Sequence, residues 1–355
     1  MKGRTAIIDR LREFDMAALV VDGELSDLYI APHKAKFPAP GAVMLARVER
    51  ILPATGGCFV RLPCGCPGYV RHAAGLRAGN FVMLQASAYP DRDKALALTR
   101  DIRLRGPYAI LTAGKPGISV SRKISSESER CRLRGIASPM LEGMDASWGL
   151  ILRTASRSQD KLLRDDVAGL ATLGRKVEEA SEWTTPRIAI PAPTPRQLAY
   201  SEWIAKDGCQ VDDYPGAARD NHLDDRIEEA LERRFALPCG GNLYVDETRA
   251  VTAIDVNTGR QSGGNAAANA ASQAARILPR LLRIRGIGGQ IVVDFPSLRR
   301  GAKHAVEHEL KSAFSADPVP TTLLGWTRMG LYEMHRKRDR VPLSTAFDVE
   351  ALSSL

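Results

Sequence analysis

The sequence predicts a mixed, multidomain fold of the α+β class, and three features indicate it. The chain has 355 residues, which is enough for two to three compact domains. Residues 37–106 contain short apolar runs separated by Gly and Pro, a pattern typical of a small antiparallel barrel. Residues 158–180 and 224–236 carry apolar side chains at helical spacing, so they predict two amphipathic helices.

Shorter elements connect these parts. The segments 108–111, 117–122 and 149–155 are apolar runs that predict strands ahead of the first helix. A proline-rich stretch at 186–195 predicts a linker or an extended edge strand, because proline cannot donate to a sheet ladder. The sequence Leu-Pro-Cys-Gly-Gly at 237–241 then marks a clear break after the second helix.

The composition is that of an ordinary globular protein, with 44% hydrophobic and 26% charged residues. No apolar run reaches the length of a transmembrane helix, and the N-terminal apolar stretch is too short for a secretory signal. We therefore expect a cytoplasmic protein without a membrane partner. The net charge of +9 favours a polyanionic partner. Basic residues cluster in four segments, each of which predicts either a binding surface or a solvated face: 100–105, 130–134, 276–285 and 336–340.

Two β-branched runs near the C-terminal end contain carboxylates, which are costly to bury without a partner. Side chains alternate along a strand, so Asp255 and Asn257 share one face of the first run, and Asp294 lies on the face opposite Val293 in the second. Two aspartates and an amide in one place suit a hard divalent cation. The alternative is that each aspartate is only a turn acceptor or a helix cap.

Four segments, in this order along the chain, resemble the signatures of the ribonuclease E/G family of endoribonucleases. They are AIDVNTGR at 253–260, the arginine-rich RLLRIRGIGG at 280–289, GGQIVVDF at 288–295 and RMGLYEM at 328–334. The resemblance implies that Asp255 and Asp294 hold a magnesium ion and that Asn257 belongs to the same catalytic site. Mn²⁺ is the expected substitute for Mg²⁺.

The resemblance also implies a domain layout. An RNase H-like subdomain without the catalytic acids of true RNase H enzymes is interrupted by two inserted modules and followed by a DNase I-like α/β catalytic subdomain. The expected boundaries are 1–36 and 185–238 for the RNase H-like subdomain, 37–106 for an OB-fold RNA-binding domain, 107–184 for a 5′-sensor module, 239–345 for the catalytic subdomain and 346–355 for a C-terminal tail.

In the barrel, the family places two aromatic residues beneath RNA bases and a basic contact nearby. The matching residues are Phe59, Tyr69 and Lys94. Stacking on aromatic rings holds single strands of any sequence. The alternative is that Phe59 and Tyr69 belong to the apolar core of the barrel.

A second RNA contact is expected where the third predicted strand of the middle module ends. Arg153 and Thr154 there combine a guanidinium fork with a hydroxyl, which suits a terminal phosphate. In the family this pair senses a 5′-monophosphate, and Gly106, Ile110 and Arg328 match accessory positions of that pocket. The alternative is a strand end that is only exposed to water.

The chain also departs from the family pattern. Pro296 and Ser297 follow Asp294, where the family has a further acidic residue, and Pro279 should kink the helix that precedes the strand. No Cys-Pro-x-Cys segment follows the catalytic region, so we expect neither zinc nor a zinc-linked dimer. The apolar surface expected at residues 302–335 could still form a homodimer interface without zinc. Zinc binding by the thiolates of three barrel cysteines is a further alternative, which their spacing fits poorly: Cys58, Cys64 and Cys66.

The sequence therefore predicts a magnesium-dependent endoribonuclease that cuts single-stranded RNA in RNA processing or decay and prefers 5′-monophosphorylated substrates. The rival prediction is a non-catalytic RNA-binding paralogue or RNA chaperone, supported by the altered Ser297. The presence of Asp255, Asn257 and Asp294 together opposes this rival, because a protein that only binds RNA has no need of clustered carboxylates near phosphates.

Overall fold

A computed structural model of the chain describes residues 3–12, 14–31, 37–91, 94–157, 159–260 and 265–346. Ser158, the first residue of one predicted helix, lies outside the described residues, as does the predicted C-terminal tail beyond residue 346. No helix in the described ranges is both long enough and apolar enough to cross a membrane.

The strands in the described part of the chain are β1 Arg4–Leu11, β2 Phe14–Val21, β3 Glu24–Ala31, β4 Val43–Leu52, β5 Gly57–Arg61, β6 Pro67–Val70, β7 Phe81–Ala88, β8 Leu96–Thr99, β9 Arg103–Arg105, β10 Ala109–Thr112, β11 Gly117–Val120, β12 Gly149–Leu152, β13 Arg187–Ile190, β14 Gln210–Asp213, β15 Arg234–Ala236, β16 Asn242–Glu247, β17 Thr252–Asn257, β18 Gly289–Asp294, β19 Thr321–Trp326 and β20 Tyr332–Arg336.

The α-helices in the same residues are α1 Glu127–Ala137, α2 Asp160–Ser181, α3 Pro195–Ala199, α4 Ala205–Asp207, α5 Ala217–Asp220, α6 Leu223–Leu231, α7 Ala266–Ile284, α8 Arg300–Ala316 and α9 Leu343–Ala346. Two short 3₁₀ segments and one π-helical segment complete the list: Ser138–Leu141, Thr154–Ser156 and Tyr200–Ile204.

Contacts between residues divide the chain into two compact units. We call the first the barrel unit; it contains residues 3–17 and 31–214. We call the second the sheet unit; it contains residues 18–30 and the described chain from residue 215 onward.

The barrel unit contains a closed five-stranded barrel, which confirms the barrel that the sequence predicts. The strands follow the order β4-β5-β6-β8-β7, and a pairing between β4 and β7 closes the ring. Its core is built from inward-facing residues of alternating strand positions, among them Met44, Val60 and Leu96. The prediction of an entirely antiparallel barrel is wrong, because β6 and β8 pair in parallel.

The proline-rich stretch supplies an edge strand rather than a free linker. Within it, β13 pairs with β4 in the antiparallel direction and has a register irregularity between Ile188 and Ile190. The barrel unit also holds a second sheet in the order β11-β12-β10-β9, against which α1 and α2 pack. Helix α2 confirms the first predicted amphipathic helix, with Leu163, Val167 and Leu170 buried on one face.

The sheet unit is built around a six-stranded sheet in the order β15-β16-β17-β18-β20-β19. Only β17 and β18 run parallel among its pairings, and α7 makes the crossover between them, as a parallel pair requires. Residues of α7 and α8 pack against one face of this sheet and form the core of the unit. Val306, Leu310 and Phe314 of α8 are buried in that core, so they do not belong to the apolar surface expected at 302–335.

The second predicted amphipathic helix, at 224–236, is partly wrong. Helix α6 ends at Leu231, and residues 234–236 form β15 instead. Phe235 fits the helical spacing, but in the structure it faces Leu243 across the β15–β16 pair and packs against the core of the sheet. Pairing with a neighbouring strand therefore overrides the local helical pattern.

In two of the four basic clusters, some of the arginines are buried and so belong to neither a binding surface nor a solvated face. Arg336 is 1% exposed and Arg340 is 9% exposed. Arg283 and Arg336 both donate to the carboxylate of Asp317, which is fully buried, and Arg340 lies 4.0 Å above the Tyr29 ring. Arginines of the 276–285 and 336–340 clusters thus form an internal ionic network in the sheet unit.

Candidate active site

The two predicted catalytic aspartates lie side by side on the six-stranded sheet. Asp255 of β17 is in direct register with Asp294 of β18, and both side chains are exposed. Their chain neighbours Ile254 and Val293 are 1% and 0% exposed, because alternation turns these residues into the core. The pleat therefore brings two carboxylates together on the open face of the sheet.

The third predicted residue joins this pair. Asn257 lies two positions after Asp255 on the same face, and its Nδ2 donates a hydrogen bond to Asp255 Oδ2 at 2.6 Å. Neither aspartate caps a helix, since α7 is preceded by Asn265 and α8 by Arg299. The alternative that either aspartate is a helix cap is therefore wrong.

This donor set fits a hard divalent cation. Within the described ranges, no group of three His, Cys, Asp or Glu side chains comes together as a complete metal site. A cation between Asp255 and Asp294 would therefore take two carboxylates from the protein and fill its other positions with water or substrate oxygens. Mg²⁺ is characteristically held in this way, by one or two carboxylates and several waters.

Strand β18 ends at Asp294, immediately before the departure from the family pattern. Phe295 turns back into the core at 6% exposure, and Pro296 follows without a backbone donor. The serine at 297 is exposed and brings no carboxylate to the pair. The acidic site on this strand thus consists of Asp294 alone.

The two aromatic residues of the barrel lie next to each other on its outer face. Phe59 and Tyr69 face each other across the β5–β6 pair, with ring centroids 5.6 Å apart. Both are half-buried, whereas their neighbours Cys58 and Val60 are fully buried in the core. The alternative that these rings form the barrel core is therefore wrong.

The surroundings of this aromatic pair are basic and closely packed. The guanidinium of Arg50 lies 5.3 Å from the centre of the Phe59 ring. A Cβ at Gly57 would lie 2.5 Å from the Tyr69 hydroxyl. The absence of a side chain at Gly57 therefore makes room for the Tyr69 ring. Lys94 is exposed on the loop before β8, where it forms an ion pair with Asp91 at 2.9 Å.

Arg153 is not the strand end exposed only to water that the alternative interpretation expected. Its Nη1 donates to the Gly106 carbonyl at 2.7 Å and to the Ser201 hydroxyl at 2.8 Å, and its Nη2 donates to Glu202 Oε1 at 2.9 Å. The two charged side chains are only 13% and 18% exposed. Burial tends to raise the pKa of Glu202, but Arg153 and Lys206 lower it below its usual value, so the pair is ionised.

The residues near Arg153 have polar contacts of their own. Thr154 is exposed, and its hydroxyl lies 3.1 Å from that of Ser121. A Cβ at Gly106 would fall 2.0 Å from Asp166, whose carboxylate accepts from the backbone amides of Tyr108 and Ala109. Burial raises the pKa of Asp166, and these two amides oppose the shift.

The other two predicted accessory residues lie on separate elements. Ile110 is half-buried on β10, where it faces Ile151 of β12. Arg328 belongs to the sheet unit and is exposed in the turn between β19 and β20. A hydrogen bond from the Gly330 amide to the Thr327 carbonyl closes this turn.

Sequence reasoning missed the acidic partner of Arg153. Ser201 and Glu202 lie in the π-helical segment, 48 and 49 residues after Arg153, and no local pattern marks them. Single π-helical turns are frequent at functional sites, but they are not readable from sequence.

Comparisons with known proteins show the family of the chain. The sequence model of the ribonuclease E/G family matches residues 103–211 and 206–339. Ribonuclease G of Escherichia coli K12 is 28% identical over 383 residues, which cover 91% of this chain and 77% of the relative. Ribonuclease G of Haemophilus influenzae is 27% identical, with 92% and 78% covered. Ribonuclease E of Nostoc is 28% identical over 92% of this chain and 55% of its own length. The chain belongs to the ribonuclease E/G family of endoribonucleases.

Proposed function

We propose that this protein is a magnesium-dependent endoribonuclease that cuts single-stranded RNA in RNA processing or decay, with a preference for 5′-monophosphorylated substrates. The observation that carries the proposal is the register of Asp255 with Asp294 on the open face of the sheet. In this proposal the sheet of residues 239–345 serves as a DNase I-like catalytic subdomain, and the strands of the N-terminal region belong to an RNase H-like subdomain.

The three polar residues of the site have different roles in this proposal. Asp255 and Asp294 supply the negative charge that holds Mg²⁺, or Mn²⁺ in its place. Bound there, the ion supplies a Lewis acid for the phosphodiester and lowers the pKa of water. The Asn257 amide, through its hydrogen bond of 2.6 Å, fixes the orientation of the Asp255 carboxylate. The open face leaves room for an extended RNA strand.

The experiment that tests this function uses circular single-stranded RNA, which has no ends and is cut only by an endonuclease. The purified chain with Mg²⁺ should convert the circle to a linear product. A perfectly paired duplex of the same sequence should be cut far more slowly. Binding of the circle without any cutting would instead identify a non-catalytic RNA-binding protein.

The barrel contributes the contact to unpaired bases. Phe59 and Tyr69 offer two adjacent half-exposed rings, and Arg50 adds a cation beside them. Every base has a π-face, so such a platform binds single strands with little sequence preference. We assign Lys94 to a contact with an RNA phosphate. To make this contact, Lys94 would give up its exposed ion pair with Asp91, which stabilises the fold little.

Replacement of Tyr69 by alanine should weaken binding of single-stranded RNA by about 1–3 kcal/mol, the usual worth of one stacked base. Phe59→Ala should behave alike. Tyr69→Phe is the matched control, because it keeps the ring and should keep the affinity. Fluorescence anisotropy with a labelled oligonucleotide measures the effect, and thermal unfolding monitors the fold. Unchanged affinity in both alanine variants would exclude the platform.

The preference for a 5′-monophosphate is assigned to Arg153 and Thr154. The guanidinium keeps donors beyond the three contacts that it makes within the unit, and the exposed Thr154 hydroxyl adds another. A phosphate there must compete with the Glu202 carboxylate for the same cation. We therefore expect a preference of modest size.

Replacement of Thr154 by valine should reduce the ratio of cleavage rates on 5′-monophosphate and 5′-hydroxyl forms of one oligonucleotide, with the 5′-hydroxyl rate unchanged. Arg153→Ala should bring the ratio to one, although it also leaves Glu202 buried without its partner, so its thermal unfolding must be measured in parallel. A wild-type ratio of one would mean that Arg153 serves only the internal ion pair with Glu202.

A further inference from the structure

The acidic pair continues into a row of four exposed side chains across four strands. Arg234 of β15 faces Tyr244 of β16, Tyr244 faces Asp255 of β17, and Asp255 is in register with Asp294 of β18. Directly opposite residues project from the same face of a sheet, and in the antiparallel pairs of this row their Cβ atoms are expected about 4.5–5.5 Å apart. A cation, an aromatic ring and two carboxylates thus stand in a line.

Burial of the flanking residues places the whole row on the open face. The chain neighbours that alternate with the row are Phe235, Leu243, Ile254 and Val293, and all four pack into the core on the other side of the sheet. Tyr244 itself is 36% exposed on this face.

Arg234 and Tyr244, the two members of the row outside the acidic pair, are available for a ligand. Arg233 forms an ion pair with Asp246, whereas Arg234 is exposed and has no acidic partner among the residues that the structure describes. The Tyr244 ring likewise stacks on no other ring or cation within those residues. An unpaired guanidinium beside an open ring is the combination that binds a nucleotide, through its phosphate and its base.

We propose that Tyr244 and Arg234 form a nucleotide-binding subsite immediately beside the cleavage centre. The Tyr244 ring stacks on the base of a nucleotide that adjoins the scissile phosphate, and the Arg234 guanidinium pairs with the next phosphate along the strand. The subsite rests on the proposed function, because it places the scissile phosphate at Asp255 and Asp294. The RNA then crosses the sheet from β15 towards β18.

The test for the base contact combines a protein variant with a substrate variant. Tyr244→Ala should lower kcat/KM for single-stranded RNA by about 5- to 150-fold, the range that corresponds to one stacked base. An abasic nucleotide at one of the two positions flanking the cut should lower the wild-type value by a similar factor. In Tyr244→Ala the same abasic nucleotide should have almost no further effect, because the contact is already lost.

Two control variants sharpen the test. Tyr244→Phe keeps the ring and should retain nearly wild-type cleavage. Tyr200→Ala removes a tyrosine that is 40% exposed in the barrel unit and should leave the abasic effect intact. Identical rates and cleavage positions for Tyr244→Ala and wild type would overturn the subsite, as would full additivity of the two changes. Absence of cutting by the wild type would instead overturn the proposed function.

The phosphate contact has its own signature. Arg234→Ala should weaken RNA binding and reduce the slope of log affinity against log salt by about one, because one phosphate contact is lost. Arg276→Ala is the matched control, since Arg276 is 63% exposed but already paired with Glu309. An unchanged salt slope in Arg234→Ala would show that the guanidinium does not bind phosphate.

Discussion

Replacement of Asp294 by asparagine is expected to lower RNA cleavage by about 10²- to 10³-fold, while RNA affinity remains close to that of the wild type. The substitution keeps the shape of the side chain but removes one of the two carboxylates that we propose hold the cation. Lewis-acid catalysis is worth several kcal/mol, and each 1.36 kcal/mol is a factor of ten in rate. Single-turnover cleavage measures the rate, and oligonucleotide binding measures the affinity. Asp255→Asn should give the same result.

Asp246→Asn is the matched control for this loss. Asp246 lies on the same sheet, faces Ala253 of β17 and is already paired with Arg233. The same chemical change at this position should leave cleavage nearly unchanged. Wild-type turnover by Asp294→Asn would contradict the assignment of the catalytic site. Equal losses in Asp246→Asn and Asp294→Asn would point to the charge of the sheet as a whole.

Replacement of Asp317 by alanine should give the largest loss of stability. Its fully buried carboxylate accepts from Arg283, from Arg336 at 3.0 Å and from the Val319 amide at 2.8 Å. Burial lowers the pKa of Arg336, and the attraction of Asp317 opposes this shift. Without the carboxylate, two guanidiniums remain buried with too few partners, which costs about 3–5 kcal/mol. The corresponding fall in Tm is about 6–20 °C for a unit of this size.

Thermal unfolding of Glu309→Ala provides the comparison. Glu309 also pairs with an arginine, Arg276, but the two side chains are 30% and 63% exposed. Solvent screens such a pair, so its removal should leave the Tm almost unchanged. A Tm of Asp317→Ala equal to that of Glu309→Ala would show that the internal network contributes nothing to stability.

The local pattern of the sequence is sufficient to predict strands β17 and β18. Polar and apolar residues alternate at 254–257 and 291–294, and burial in the structure follows that alternation. The pairing of β17 with β18 is not local, because α7 separates the two strands. The prediction that Asp255 and Asp294 share one site therefore depended on the resemblance to known signatures and not on the local pattern.

Partners that are distant in sequence account for most of what was missed. The sequence around Arg283 and Arg336 is typical of surface arginines. Both are largely buried and pair with Asp317, which is 34 and 19 residues away in sequence. Arg153 looks like an exposed strand end for the same reason, because Glu202 is 49 residues away. The burial of a long charged side chain depends on such partners, and composition does not reveal them.

The central claim is that Asp255 and Asp294 act in cleavage through a bound cation. The dependence of the cleavage rate on Mg²⁺ tests this claim most directly. Circular single-stranded RNA should be cut by the wild type at a rate that rises with Mg²⁺ and saturates, that falls to background with EDTA and that returns when Mg²⁺ is added in excess. Asp255→Asn and Asp294→Asn should stay near background throughout the titration. Undiminished cutting in EDTA, or by either variant, would contradict a cation-holding site at Asp255 and Asp294.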